Sequence, residues 1–193
     1  LVGLFVGSEG MFGIATEITL RLEPLPAAVR TLLAAFPSIR AASEAVSGII
    51  AAGIVPAAME MMDQACVRAV EASIYAAGYP ADAAAVLLVE VDGSAEATEA
   101  EAALVESLLL RHRAAEVRTA TTAAERARLW QGRKKAFGAM GRISPDLAVQ
   151  DAVVPRSTLP DILDRVAATA AHYRLGVPHV FHAGAGNRQP NIS

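Results

Sequence analysis

Arg21-Leu-Glu-Pro24-Leu-Pro26-Ala-Ala-Val29-Arg-Thr-Leu-Leu-Ala-Ala-Phe36 divides the chain into two unequal parts. Proline has a fixed φ and no backbone N–H, so Pro24-Leu25-Pro26 cannot run inside a sheet and favours an extended linker. The apolar run Val29 to Phe36 predicts a strand, and Ser38 opens a helix with Ile39, Ala42, Val46, Ile49 and Ile50 at helical spacing. Gly53 and Pro56 stop that helix.

Downstream the alternation continues. Met59 to Met62 reads as a short extended piece, Asp63 to Ala77 as a helix, and Ala84 to Val91 as a buried strand ended by Asp92-Gly93. Ser94 caps the next helix, with Glu96, Glu99 and Glu101 near its positive end and Arg111 and Arg113 near its negative end. Glu116 to Ala120 predicts a strand, and Thr122 with Glu125 a capping box for the helix carrying Trp130, Arg133, Lys134 and Phe137. Leu147 to Val154 predicts a strand, and Thr158 with Asp161 a similar helix start. Ile162, Val166, Ala170 and Tyr173 mark that helix's expected buried stripe, and Val177 to Phe181 the last strand. This order implies an α+β fold, with a ferredoxin-like arrangement of helices on one face of an antiparallel sheet as the expected topology. Residues 27–193 form that domain; residues 1–26 belong to the end of another.

The first part opens on the apolar residues Leu1, Val2, Leu4, Phe5 and Val6 and passes into Gly7-Ser-Glu-Gly10-Met-Phe-Gly13. Ile14, Thr16, Ile18, Leu20 and Leu22 then alternate with other residues, which predicts a strand. Both ends of the chain read as cut, and a site begun after Phe181 lacks its second half. The chain is therefore expected to be inactive alone.

Composition limits the function classes. Apolar residues make up 53% of the chain, yet alanine supplies much of that and no run approaches the length of a membrane span. A net charge of -3 with dispersed arginines leaves no footprint for nucleic acid. The single cysteine, Cys66, cannot form an internal disulfide, and no secretory leader opens the sequence, which fits a reducing cytoplasm.

Three stretches could carry chemistry. The glycine cluster can bring backbone amides close to a phosphate or a flat ring, but it leads into a predicted strand rather than opening a helix. A Rossmann site is disfavoured, and an ordinary tight turn is the alternative. The stretch Trp130 to Arg142 gathers Arg133, Lys134, Lys135 and Arg142 in one helical segment; arginine can grip a carboxylate by two parallel hydrogen bonds, or the stretch is a solvated basic face. In Pro178-His-Val-Phe-His182-Ala-Gly-Ala-Gly-Asn187, a histidine at a strand end could be a ligand or base, or His179 and His182 could be structural. Gln189 and Asn191 are the nearest other side chains that could coordinate.

Together these stretches resemble the FAD-linked oxidases of the glycolate oxidase flavoprotein subunit and D-lactate dehydrogenase type. Gly7-Ser-Glu-Gly-Met-Phe-Gly-Ile-Ala-Thr-Glu17 is similar to the segment ending that family's FAD-binding domain. Trp130-Gln-Gly-Arg-Lys-Lys-Ala-Phe-Gly-Ala-Met-Gly-Arg-Ile-Ser-Pro-Asp146 with Gln150-Asp-Ala-Val-Val-Pro-Arg156 resembles its cap domain, and Phe181-His-Ala-Gly-Ala-Gly-Asn187 resembles its F-H-A-G-D-G-N-L-H-P motif. The resemblance implies FAD as cofactor, with Gly7, Ser8, Glu9, Gly10, Gly13 and Ile14 contacting it. It implies that Arg133 holds the carboxylate of a small 2-hydroxy acid such as glycolate or D-lactate. It also implies that His182 is a metal ligand or approaches the substrate hydroxyl. Ala185, Arg188 and Gln189 depart from the motif, and neutral glutamine substitutes poorly for imidazole, which weighs against a divalent metal. The implied electron acceptor is an iron-sulfur subunit or a quinone-linked chain, with any membrane association made through that partner. The rival expectation is a non-catalytic α+β module serving assembly.

Overall fold

Near-continuous apolar residues in the strands Ala28–Phe36 (β1), Ala58–Asp63 (β2) and Ala85–Gly93 (β3) give each strand two buried faces. The computed structural model describes every residue except Pro145, Leu147, Asp151, Gly186 and Ser193, and describes Arg156, Ala185 and residues 187–192 by their backbone alone. In chain order the helices and strands are α1 (Val2–Phe5), β1, α2 (Ile39–Ala51), β2, α3 (Gln64–Glu71), β3, α4 (Ala95–Arg111) and β4 (Glu116–Thr119). Next come α5 (Ala123–Lys134), α6 (Ala136–Met140), β5 (Ala148–Val149), β6 (Ala152–Val153), α7 (Leu159–Tyr173), β7 (His179–His182) and β8 (Asn187–Ile192).

The sheet order β4-β1-β3-β2, all antiparallel, with α2 linking β1 to β2 and α4 linking β3 to β4, is the ferredoxin-like arrangement with α3 inserted between β2 and β3. β7 extends this sheet by pairing antiparallel with β2, and β8 pairs with β7. The predicted strand Leu147 to Val154 is divided into β5 and β6, both paired with β8; Leu147 and Asp151 lie outside the described residues.

Helices cover both faces of the sheet, not one. Leu32, Ala34, Phe36, Met61, Leu87, Val89 and Phe181 share a core with α2, α4 and the start of α7. Leu33, Met62, Val86, Leu88 and Val180 face the other way, against Cys66, Val67 and Val70 of α3, Leu129 of α5, and Ala136, Ala139 and Met140 of α6. The reason is the strand pattern itself: an apolar run in β1 and β3 with few polar breaks leaves a second hydrophobic face that water cannot be allowed to reach.

Local signals place most helix starts. Ser38, Ser94 and Thr122 each accept a backbone N–H three residues further along their helices. Glu125 turns its carboxylate back to the N–H of Thr121, one residue before the cap. Thr158 makes no such side-chain cap; its hydroxyl donates to the carbonyl of Pro155, so the predicted capping pair with Asp161 does not form. α3 ends at Glu71, short of the predicted Ala77, because the Glu71 carboxylate gathers the N–H groups of Ala77, Gly78 and Tyr79 into a loop.

Two predicted apolar stripes are not covered. Residues 14–22 form no strand, because no other strand among the described residues pairs with them, and residues 1–27 are exposed apart from half-buried Ser8. On α7 it is Leu159 and Leu163 that are buried, whereas Ile162, Val166 and Ala170 line an open groove of about 530 Å³ and Tyr173 is exposed. The stripe's amphipathic spacing is real, but its residues beyond the first two turns meet no core of the described chain.

Candidate active site

Three rungs of the second sheet face carry polar groups. Thr31 of β1 stands opposite Glu90 of β3, Glu90 opposite Ala58 of β2, and Glu60 of β2 opposite His182 of β7. A carboxylate in this setting needs partners, because an unpaired buried charge is costly. α5 supplies them from Arg126, Trp130 and Arg133, which are spaced i, i+4 and i+7 and so lie on one side of the helix with buried Leu129.

Glu90, only 8% exposed, accepts hydrogen bonds from Arg126 Nε and Nη2 at 2.8 and 2.7 Å, from Trp130 Nε1 at 2.6 Å and from Thr31 Oγ1 at 2.5 Å. Burial alone would raise its carboxyl, but the bonds from Arg126, Thr31 and Trp130 outweigh that and hold it below the usual carboxylate range. Farther along the helix, Arg133 is buried and donates from Nε and Nη2 to Oε2 of Glu60 at 3.1 and 2.7 Å. The other Glu60 oxygen, Oε1, lies 2.7 Å from Nδ1 of His182. The sequence-predicted pair Arg133 and His182 is thus brought together through a third residue. Glu60 and His182 line a cavity of about 370 Å³, and Trp130, Arg126, Lys134 and Lys135 line another of about 500 Å³; Ala58 borders both.

The close fit of α5 against the loop between α3 and β3 depends on Gly132. A Cβ there would come within 2.8 Å of Ala77 Cβ and of the Tyr79 hydroxyl, which donates to the carbonyl of Leu129. The predicted single helix through Arg142 is broken at Lys135 into α5 and α6. Lys134, Lys135 and Arg142 are exposed, so the solvated-face reading describes them and not Arg133.

His179 is a different kind of histidine. It is buried, stacks on Phe181 at 5.3 Å between ring centroids, and its backbone N–H donates to Asp63 at 2.7 Å. Cys66, beside Asp63, is buried, and burial pushes its thiol far above the usual range, so it is no nucleophile at neutral pH. Glu60 escaped the sequence reading. Its signal was an acidic residue between two methionines in the middle of the strand Ala58-Met-Glu-Met-Met-Asp63, where a buried face calls for apolar side chains.

A divalent ion of the expected kind takes three or four ligands. Among the described residues no three His, Cys, Asp or Glu side chains converge, and His182, with Nδ1 against Glu60, offers only Nε2. The side chains of Ala185, Arg188, Gln189 and Asn191 lie outside the described residues.

The glycine cluster does not meet Arg133 or His182 in this chain; it lies in the exposed stretch 1–27. Gly7 and Gly10 have φ of 77° and 80° with open space where a Cβ would stand, and Glu9 has φ of 50°. Within the turn, Ser8 N–H donates to Phe5 and Met11 N–H to Ser8, while among the described residues no hydrogen bond uses the N–H groups of Glu9, Gly10, Gly13 or Ile14. Such a loop fits a cofactor approached through backbone amides.

The profile of the family described as FAD linked oxidases, C-terminal domain, matches residues 25–193. The chain belongs to that family. Over its whole length it is 48% identical to the glycolate oxidase subunit GlcD of Escherichia coli K12 and 40% identical to that of Bacillus subtilis. Those stretches are 38% and 41% of the two relatives, so the chain spans about two fifths of their length. A mitochondrial D-lactate dehydrogenase [cytochrome] of Arabidopsis thaliana is 28% identical over 97% of this chain and 33% of its own. The fold recurs in an alkyldihydroxyacetonephosphate synthase, with a TM-score of 0.70 at 16% identity over 98% of this chain and 40% of that one. In this FAD-linked oxidase C-terminal domain the ferredoxin-like sheet is thus the scaffold, and α5 carries the paired arginines described above. No helix among the described residues is long and apolar enough to cross a membrane.

Proposed function

We propose that the complete protein oxidises a small 2-hydroxy acid, glycolate or D-lactate, with FAD. In this reading residues 27–193 form the substrate-side cap, and residues 1–26 end the FAD-binding domain. The observation that carries the reading is the Arg133–Glu60–His182 cluster, whose Glu60 and His182 line an open cavity with Arg133 buried behind Glu60, in a chain whose whole length is 48% identical to a glycolate oxidase subunit.

The chemistry divides among named groups. When bound, FAD supplies an acceptor for the α-hydrogen and its electron pair, so that a 2-hydroxy acid becomes the 2-oxo acid. Gly7, Ser8, Glu9, Gly10, Gly13 and Ile14 hold it through the open turn. Glu60 uses Nε–H and one N–H of Nη2, which leaves the Nη1/Nη2 edge of Arg133 for the planar grip of the substrate carboxylate. The hydroxyl proton passes to Nε2 of His182, the ring nitrogen not engaged by Glu60.

Electrons then leave for a partner subunit, with iron-sulfur centres as the chemistry we favour and a cytoplasmic flavoprotein docked at a membrane through that partner as the setting; the relatives' description as glycolate oxidase subunits supports the existence of a partner. The test is direct. Purified full-length protein should be yellow, and its flavin absorbance should bleach when glycolate or D-lactate is added without oxygen. A folded protein that is colourless, or whose colour neither acid bleaches, contradicts the reading. Absence of iron in any co-purifying partner contradicts the electron-acceptor part alone.

A further inference from the structure

We propose that Glu60 is a positioning residue for this oxidation, fixing the orientation of Arg133 and the tautomer of His182 at once. The proposal rests on the function proposed above and adds a residue to it.

The strand register is the starting point. Glu60 and His182 are direct cross-strand neighbours on β2 and β7, so their side chains leave the same face of the sheet side by side. Leu88 flanks Glu60 on the other strand, and the Glu60 side chain is only 12% exposed. A carboxylate so enclosed is held by its bonds, and each oxygen has its own partner: Oε2 takes Arg133, Oε1 takes His182. Each contact has a separate consequence.

Oε2 accepts from Nε and Nη2 together, which stops the guanidinium rotating about its stem and keeps the Nη1/Nη2 edge pointing one way. An ionised carboxylate has no proton to give, so at Oε1 the donor must be Nδ1–H of His182. In the neutral ring this leaves the lone pair on Nε2, the atom that receives the hydroxyl proton. The His182 side chain is 47% exposed, so that atom can be reached from the cavity that Glu60 and Gly184 help to line.

Glu60→Gln separates the two contacts. The glutamine carbonyl can still accept from Arg133, because the alternative places its NH2 against the guanidinium. The NH2 is then turned to Nδ1, which must carry a lone pair, and the proton moves to Nε2. The variant should keep the carboxylate grip and lose the proton acceptor. In the full-length protein we expect flavin content, and the dissociation constant of the unreactive dicarboxylate oxalate, to stay within about threefold of wild type, while kcat falls on the order of 100-fold or more. In the 193-residue chain, 15N NMR of labelled histidine should show His182 protonated at Nδ1 in the wild type and at Nε2 in Glu60→Gln.

A wild-type kcat in Glu60→Gln overturns the proposal, as does a joint loss of flavin, oxalate binding and kcat, which would mark Glu60 as merely structural. The wild-type spectrum is decisive even if the variant does not fold: neutral His182 protonated at Nε2 overturns it. If no 2-hydroxy acid bleaches the wild-type flavin but the tautomer is as expected, the oxidation reading fails and the Glu60 geometry stands.

Discussion

The two faces of the sheet solve different problems. On one face Leu32, Phe36, Met61, Leu87, Val89 and Phe181 meet α2 and α4 in an apolar core. On the other, Leu33, Met62, Val86, Leu88 and Val180 do the same job for only part of the surface, and Thr31, Glu90, Glu60 and His182 occupy the rest. The first face therefore sets stability through area removed from water, while the second holds charged groups whose worth depends on pairing. The difference shows how one small sheet can be both scaffold and site. Variation on the apolar face should move folding through lost packing, whereas on the polar half only variation that keeps the buried groups paired should move chemistry with little effect on folding.

The largest expected effect lies on the apolar face. Phe181→Ala empties a fully buried ring site, and a loss of about 3–5 kcal/mol in urea-unfolding stability is expected. A loss below about 1 kcal/mol would mean that β7 is not packed as described.

The buried acid that ends β2 and caps α3 gives the next effect. Burial pushes the Asp63 carboxyl from 3.8 up to about 6, against the bonds it accepts from the N–H groups of Cys66 and His179 that pull it down. The folded protein then binds this proton more tightly than the unfolded chain, so stability falls as pH rises from about 4 through 6. The fall should reach about 3 kcal/mol, because each tenfold gain in proton affinity on folding is worth about 1.4 kcal/mol. Glu90 has the opposite sign: its contribution is present above the unfolded carboxylate range and is lost as pH falls through its lowered folded value. Stability measured across this range in wild type and in Asp63→Asn separates them, since the variant should lose the decline from about pH 4 to 6 and keep the acid loss. An unchanged decline in Asp63→Asn assigns it to another group.

A third, smaller effect probes the seam between α5 and the loop that joins α3 to β3. Gly132→Ala places a methyl group 2.8 Å from Ala77 and Tyr79, and a cost of about 1–3 kcal/mol is expected, with a shift in the fluorescence of Trp130 as the helix lifts. Unaltered stability and fluorescence would show that the helix has room.

Most of the scaffold was legible because local chemistry and tertiary packing agree there. Ser38 and Ser94 cap the helices they were expected to cap, β1 and β3 are the apolar runs expected, and the antiparallel ferredoxin-like order follows from the alternation of elements. What stayed hidden depends on partners far away in sequence. α5 turns Arg126, Trp130 and Arg133 toward the sheet, so apolar periodicity could not reveal its inner side; Arg133 was singled out by family likeness and by the grip arginine can make. Glu60 makes sense only once β7 lies beside β2 and α5 above them, contacts separated by 122 and 73 residues. Helices on the second face were missed for a related reason, since a continuous apolar strand says it is buried but not by what. The stripe of Ile162, Val166 and Ala170 was legible as a stripe and misleading as a core, because periodicity reports a face and not its occupant.

The most direct measurement is the half-saturating concentration of glycolate or D-lactate for anaerobic flavin bleaching in full-length protein carrying Arg133→Lys, beside Lys134→Ala. Lysine keeps the charge but lacks the two-point edge, so the account predicts unchanged flavin content and a loss of roughly 1.5–3 kcal/mol, about 10-fold to 150-fold, in apparent substrate binding or in kcat/KM. Lys134→Ala, on the exposed side of α5, should behave as wild type. Equal losses in both variants would mean a diffuse basic field, and no loss in Arg133→Lys would contradict the assignment of Arg133 as the substrate grip.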